Sequence, residues 1–583
     1  MRKFMAILCF CLLLGLLASC GSNGDNGDDP ATVVTDTDDQ DDTTYDPVVE
    51  DDDDETPDVT EDDGEWDPLG RFAETVYVTQ TRILTAWMGF DEGEDEDYNW
   101  WTRAYYDHLN VVLTNLFTAD SWGEPFDMAM NLAFATGELP DVMPLYTSLA
   151  VRALEGGLIM DITDIFERYA SQQVKDIYAT DPTSLEAWTF DGRLMGLSNP
   201  AGLGDYPFFW VPTSMLYGYN GGVMPTTLDE ITSLARWIRD YTGSYAIGLD
   251  DNLREMFYLL NVFGGTEHWI EQDGQLINGR IQEEVRQTLA LLAQWYAEGL
   301  LAVDFAVRTD GDVEADFVNR RFGILIGSSH VPNGSRGRNF MLLHPDDDLV
   351  AIPMMRADGQ PMVYTTSAGY NDAVMISARA ENPEAIMRMF NLGTAVVNDA
   401  ERPAWVTDVY WNTTPGGNMG WWNRMATGSG YVADVRYGYE GLSVALRYLR
   451  AGSDGTELRA ANAFRTLENF DRVMDWLNYG TDAEHWEGNW AMWSMLLGSE
   501  SSVVVMDMHA AGRIVPTPRW GAETSAEATH SANLAARFRE FATVAIMNDD
   551  VDSQFDQWVQ FFYDNGGDEI NEQVNQWWAE HGR

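Results

Sequence analysis

Aromatic side chains in loop settings are the residues of this chain best suited to chemistry. Trp87 precedes Gly89 at the end of a predicted strand, and Asp120-Ser121-Trp122-Gly123 follows the next one. Phe208-Phe209-Trp210 precedes Pro212, and Tyr370 follows the small-residue turn Ser367-Ala368-Gly369. Trp411, Trp421 and Trp422 sit among Asn, Gly and Pro, where no amphipathic stripe accounts for them. Flat aromatic faces stack on the C–H faces of sugar rings, and an ionised acceptor such as Asp120 takes hydroxyl hydrogen bonds strongly. Trp87, Asp120, Trp122, Trp210, Tyr370, Trp411, Trp421 and Trp422 are therefore the expected ligand-binding residues. Any one of these Trp rings taken singly is more naturally a core ring; as a set in loops they point to a ligand.

Signatures of catalysis are missing. The chain has no His-Glu-x-x-His, no phosphate loop ending in Gly-Lys-Ser, no Gly-x-Ser-x-Gly elbow and no dinucleotide Gly triad. The eight His are scattered singly, which fits surface or satisfied core positions better than a metal site. Carboxylate pairs are so abundant that counting them singles out no glycosidase dyad. No catalytic residue, metal ligand or cofactor is expected.

The elements that hold these residues begin with a leader. Met1-Arg2-Lys3 is basic, and residues 4–17 are apolar but short for a stable membrane span. The run ends in Leu17-Ala18-Ser19-Cys20-Gly21, which resembles a bacterial lipobox, with Cys20 as the lipidated residue after a signal peptide of residues 1–19. The plainer alternative is a secretory peptide with a chance Cys. A lipobox implies an extracytoplasmic lipoprotein held to the cell membrane by acyl chains. Cys9, Cys11 and Cys20 are the only cysteines, so the folded body has no thiol or disulfide.

Residues 20–70 read as an acidic, disordered tether, with almost no large apolar side chains and runs such as Asp51-Asp52-Asp53-Asp54-Glu55. A calcium site is the sharper reading there, but the regular Asp-x-Asp-x-Asp-Gly loop is missing. The formal net charge of −59 argues against nucleic acid and against docking on anionic lipid. With 22 Trp, 24 Tyr and 25 Phe, rings remain for a ligand after the core is filled.

The body alternates strands and helices, as an α/β protein does. Residues 75–88 and 111–113 read as strands, residues 100–109 as helix, and residues 137–142 as a turn entering a strand. Thr227-Leu228-Asp229-Glu230 is a capping box ahead of the stripe Ile231, Leu234, Ala235 and Ile238. Residues 283–298 form a second amphipathic helix stopped by Gly299, residues 322–327 a buried strand, and Asn382-Pro383 opens a third helix through residue 390. The loops after Met88, Thr118 and Val142 lie at strand carboxyl ends, where open α/β sheets gather ligand contacts.

Several of these stretches together resemble the family 1 extracellular solute-binding proteins of ABC importers, in their large, oligosaccharide-type lipoprotein branch. They are Gly137-Glu138-Leu139-Pro140-Asp141-Val142, Gly157-Leu158-Ile159-Met160-Asp161-Ile162-Thr163, Asp191-Gly192-Arg193-Leu194-Met195-Gly196-Leu197 and Met224-Pro225-Thr226-Thr227-Leu228-Asp229-Glu230. Further on come Tyr296-Ala297-Glu298-Gly299-Leu300, Asn382-Pro383-Glu384-Ala385, Phe555-Asp556-Gln557-Trp558, Gly566-Gly567 and Val574-Asn575-Gln576-Trp577. Arg193 stands where the family usually has Lys, and the Pro that usually follows is missing.

The resemblance implies an α/β, two-lobed periplasmic-binding-protein-like fold with a hinge and an interlobe cleft. The lobes are expected at about residues 71–199 with 364–423, and 201–363 with 424–583. It implies a monomeric, non-enzymatic protein that captures a carbohydrate, an oligosaccharide, and delivers it to an ABC transporter permease. It transfers no site residues, because the family has no ligand residue common to its branches. A surface glycan-active hydrolase or lyase, or a ligand-sensing receptor subunit, would share the loop aromatics and the acids.

Overall fold

In the computed structural model the described residues are 66–83, 93–119, 124–200, 206–366, 372–397, 430, 435–460, 464–483, 485–521 and 523–582. The leader, Cys20 and the tether up to residue 65 lie outside them, as do residues 398–423 of the expected first lobe.

The first lobe is built on a sheet ordered Asp372–Ile376, Val142–Tyr146, Val76–Ile83, Val111–Ala119. Val76–Ile83 runs parallel to Val111–Ala119 with a register shift between Gln80 and Thr81. Asp372–Ile376 lies antiparallel to Val142–Tyr146, so a late segment of the chain closes the sheet laid down by the early ones. Side chains of a strand alternate between faces. Val142, Val374 and Ile376 therefore join one core with Val78 and Phe390, while Met143, Leu145 and Met375 join another with Phe126, Met130 and Trp188. A sheet covered on both faces needs apolar residues at consecutive positions, and Val142-Met143-Pro144-Leu145 supplies them. The helix expected to end near residue 390 runs on as Pro383–Val397.

Trp66, inside the stretch that composition assigns to the tether, is packed against the body. Its Nε1 donates to the Tyr169 carbonyl at 3.3 Å, and the Arg388 guanidinium is held 3.8 Å from its ring centroid and 4.1 Å from that of Phe72. Asn391 Nδ2 donates to the Pro68 carbonyl at 3.1 Å. One large aromatic with a cation on its face docks a short segment that its acidic neighbours would leave in solvent.

The second lobe carries a sheet ordered Leu349–Pro353, Pro207–Pro212, Leu325–Ser328, antiparallel throughout. Every residue of Pro207–Pro212 is buried. Trp210, expected at a ligand, is a core side chain instead: it is 0% exposed and its Nε1 donates to the Ser328 carbonyl at 2.9 Å. It belongs to a central strand covered on both faces, so Pro212 ends that strand rather than opening a ligand loop. The capping box at Thr227 and Glu230 is present ahead of helix Leu228–Thr242, and Gly299, at φ +69°, follows helix Glu283–Ala297. The core is completed by Ser525–Asn548, Val551–Phe562 and Asp568–His581, through Phe538, Trp558, Phe562 and Val574.

Strand–helix alternation does not persist to the end. Beyond Val435 the only described strand is Ile514–Pro516, and the rest of the described chain there is mostly helical. The β-branched run Val503-Val504-Val505 lies within helix Ser501–Ala510, which buries Val505 and Met508 one turn apart. Burial of a helical stripe outweighs local strand propensity there. Among the described residues no helix is long and apolar enough to cross a membrane.

The lobes are joined where Tyr364–Thr366 pairs in parallel with Ile514–Pro516, and the Thr517 amide extends the ladder by donating to the Thr366 carbonyl at 2.8 Å. Trp520, only a few residues on, packs against the first lobe's core although it lies deep in the stretch expected to belong to the second.

A buried acidic pocket in the second lobe gives a pH test. Glu255, 1% exposed, has its carboxyl pushed up to about 7 by burial and then by the neighbouring Asp250, with Arg254 and Arg336 opposing. The folded chain therefore keeps a proton that the unfolded chain loses near 4.5, and this contribution to stability is lost as pH rises through 7. His108, which burial lowers to about 4, titrates with the opposite effect on stability, so the comparison should be made against a variant. Glu255→Gln should match wild type near about pH 4 and exceed it by about 1 kcal/mol or more near about pH 8, read from urea unfolding. A variant no more stable than wild type at the higher pH would refute a buried, protonated Glu255.

Candidate functional site

A cavity of about 650 Å³ has walls from both lobes. From the first lobe come Tyr146, at the carboxyl end of its strand, and Ser148, in the first turn of helix Thr147–Glu155. This is the strand-end position that open α/β sheets use for ligands. From the second lobe come the hairpin Trp269–Gln272/Gln275–Asn278, then Thr517, Arg519, Trp520, Gly521 and Glu523, and the start of helix Ser525–Asn548.

The hairpin is a local product of its sequence. Asp273 and Gly274 take φ +54° and +81°, as a two-residue type I′ turn requires. That turn pairs Trp269 with Asn278 at the far end and brings ring and amide to the cavity together. Two clamps hold the hairpin in place. Asn575 exchanges hydrogen bonds with the Leu276 backbone at 2.8 and 2.9 Å, and Thr517 Oγ1 donates to the Trp269 carbonyl at 3.2 Å. Gly279 then packs so closely that a Cβ would meet the Thr266 and His268 carbonyls.

Trp520 is half-buried and edge-on to Trp577, with ring centroids 5.0 Å apart. Tyr146 and Trp269 are likewise only partly buried. The cavity thus has three partly exposed aromatic rings, contributed by both walls, together with hydroxyls from Ser148, Thr517 and Ser531 and the Asn278 amide.

Its two described guanidiniums each hold a carboxylate. Arg280 Nη2 lies 2.7 Å from Glu267 Oε2, and Arg519 Nη2 lies 2.8 Å from Glu527 Oε2. Glu527 also closes a capping box with Thr524 at the helix start. Burial, and then the charge of Glu527, raise the Glu523 carboxyl above its usual range, with Arg519 opposing. Burial lowers His268, with Glu267 opposing and Arg280 lowering it further. Among the described residues no three His, Cys, Asp or Glu side chains gather as metal ligands. A second cavity, of about 360 Å³, lies beside Met354, Met362 and Met508 of the second lobe's core and has no first-lobe wall.

Of the residues expected at the ligand, Trp87, Asp120, Trp122, Tyr370, Trp411, Trp421 and Trp422 lie outside the described residues. Trp210 is in the core and away from the cavity. Tyr146, Trp269 and Trp520 were not expected. Two signals were available: the Asp-Gly turn that follows Trp269, and the loop Thr517-Pro518-Arg519-Trp520-Gly521, which meets the same criterion as Trp411.

Residues 94–396, just over half of the chain, match the family described as bacterial extracellular solute-binding protein. No curated protein matches the sequence. Among solved structures, the alginate-binding protein AlgQ2 without calcium ion aligns with a TM-score of 0.59 and 15% identity over 87% of this chain and 99% of that one. The Streptococcus pneumoniae ABC-transporter substrate-binding protein FusA, an EF-hand mutant in complex with fructo-nystose, gives 0.58 and 12% over 87% and 99%. An HMO-binding, ABC-transporter-associated protein from Bifidobacterium longum infantis gives 0.56 and 15% over 86% and 98%. At such identities the likeness is one of fold: two α/β lobes with a cleft between them.

The packing at Gly279 is directly testable. Gly279→Ala should displace the hairpin, lowering stability by about 1–3 kcal/mol and moving Trp269 out of register. Unfolding curves and the near-ultraviolet dichroism of the Trp residues would report both effects. Wild-type values for both would show that the hairpin backbone has room to spare.

Proposed function

The chain belongs to the family of bacterial extracellular solute-binding proteins, and from that premise we propose that it captures an oligosaccharide between its lobes and delivers it to an ABC transporter permease. The observation that carries this reading is the cavity with both lobes in its wall. Tyr146, Trp269 and Trp520 line one space together with hydroxyls, an amide and carboxylates. Rings supply stacking faces for sugar C–H groups, and the polar groups satisfy hydroxyls. The printed ligands of the similar structures, alginate, HMO and fructo-nystose, are carbohydrates and support the same class. A ligand that touches both walls stabilises the closed arrangement of the lobes, so capture and closure are one event. Trp87, Asp120, Trp122, Tyr370, Trp411, Trp421 and Trp422 remain proposed contacts on their loop setting alone.

The protein works, in this proposal, as a monomer outside the cytoplasm, tied to the cell membrane through acyl chains on Cys20. The apolar run ending in Leu17-Ala18-Ser19-Cys20 and the acidic stretch behind it support that placement.

Screening the purified protein against an oligosaccharide array, then titrating the best ligand, tests the function. Trp269→Ala and Trp520→Ala should each weaken binding by about tenfold, roughly the value of one stacking face, in variants that stay folded at the assay temperature. Solution scattering should show a smaller radius of gyration with ligand. Cleavage of the glycosidic bond with turnover, or early melting with undiminished affinity, would overturn the reading.

Cys20→Ala tests the anchor separately. The variant should leave the membrane fraction for the soluble one with its fold intact. Unchanged, detergent-dependent membrane association would overturn lipidation at Cys20.

A further inference from the structure

The charges of the cavity restrict which oligosaccharides it accepts. Each guanidinium of the described wall holds a carboxylate. Arg280 holds Glu267 at 2.7 Å, and its Cζ lies 4.9 Å from the centroid of the Phe257 ring. Arg519 holds Glu527 at 2.8 Å, donates to the Trp520 carbonyl, and lies over the Trp577 ring at 4.6 Å. Each cation thus already has a carboxylate and an aromatic ring as partners. The remaining carboxyl, Glu523, stands beside Glu527 and shares the field of an arginine already held by another partner.

The described wall therefore has one more carboxylate than guanidinium. A uronate or sulfate entering this space would come against Glu523 and Glu527. Recruiting either arginine would strip a partly buried glutamate of its partner, since the Glu527 side chain is only 12% exposed. At longer range a chain of net charge −59 repels a polyanion before it reaches the cleft. An uncharged sugar meets none of these penalties. Its hydroxyls donate to Glu523 and pair with the Asn278 amide and the Thr517 and Ser531 hydroxyls.

Resting on the reading of this cavity as a carbohydrate site, we infer that it selects uncharged oligosaccharides and rejects those bearing uronate or sulfate groups, with Glu523 as the discriminating side chain.

The test is calorimetry on the full chain with two matched panels at low and at physiological salt. One panel holds neutral malto-, cello-, xylo-, manno- and fructo-oligosaccharides. The other holds oligogalacturonates, oligoalginates and sulfated oligosaccharides of the same lengths. Binding confined to the neutral panel is expected at both salt levels. Tight binding of a uronate or sulfated ligand would overturn the charge selection and leave the carbohydrate reading standing. Heat from neither panel would overturn the carbohydrate reading itself, and this inference with it. Glu523→Gln should narrow the ratio of neutral to uronate affinity by about tenfold, because one like charge is removed from a partly desolvated site. Glu523→Ser makes the same comparison should the Gln variant not fold. An unchanged ratio in a folded variant would remove Glu523 from its assigned role.

Discussion

The arrangement of the site depends on a single stretch of backbone satisfying its hydrogen bonds while passing between the lobes. Ile514–Pro516 pairs in parallel with Tyr364–Thr366, and the Thr517 amide extends that pairing by one more bond. The same residue's hydroxyl then holds the Trp269 carbonyl, fixing the cavity hairpin. Two residues on, Arg519 reaches Glu527 of the second lobe, while Trp520 turns back onto the first lobe's core. Four contacts in opposite directions emerge from a few consecutive residues. A two-strand crossing of this kind can twist without breaking its ladder, which is what a hinge between rigid lobes requires.

Acidity shapes the surface around this frame. The chain has 94 acidic residues against 35 basic ones, and Lys3 and Lys175 are its only lysines. The scarce cations are thus almost all arginines, whose planar fork can hold more than one carboxylate. Arg286 ties Glu283 on its own helix to Asp552 and Asp556 on another, and Arg254 and Arg336 share Asp310. Exposed pairs contribute little singly, but a network that joins two helices fixes their relative position. Within the cavity the same habit neutralises both guanidiniums and gives the wall its negative excess.

The placement of the aromatics shows how burial is decided. Trp210 and Trp520 both occur near prolines, and by local pattern neither is more of a ligand contact than the other. Trp210 is in the central strand of a three-stranded sheet and is closed off on both sides. Trp520 follows the last strand of the crossing, has room on one side, and lines the cavity. Which ring meets a ligand depends on where the neighbouring strands run.

The sequence alone determined what local physics can settle. The capping box at Thr227, the stop at Gly299, the buried run Val142-Met143-Pro144-Leu145 and the I′ turn at Asp273-Gly274 each specify their element within a few residues. The ordered series of short motifs from Gly137 to Trp577 carried the family resemblance and, with it, the two-lobed fold. Tertiary structure alone decided which strand Asp372–Ile376 pairs with, that Val503-Val504-Val505 is helical, that Trp66 docks on Arg388, and that Tyr146, Trp269 and Trp520 share one cavity. Those outcomes depend on contacts between residues from about a hundred to almost four hundred positions apart, and the free energy of burying one surface against another is absent from any local window of sequence.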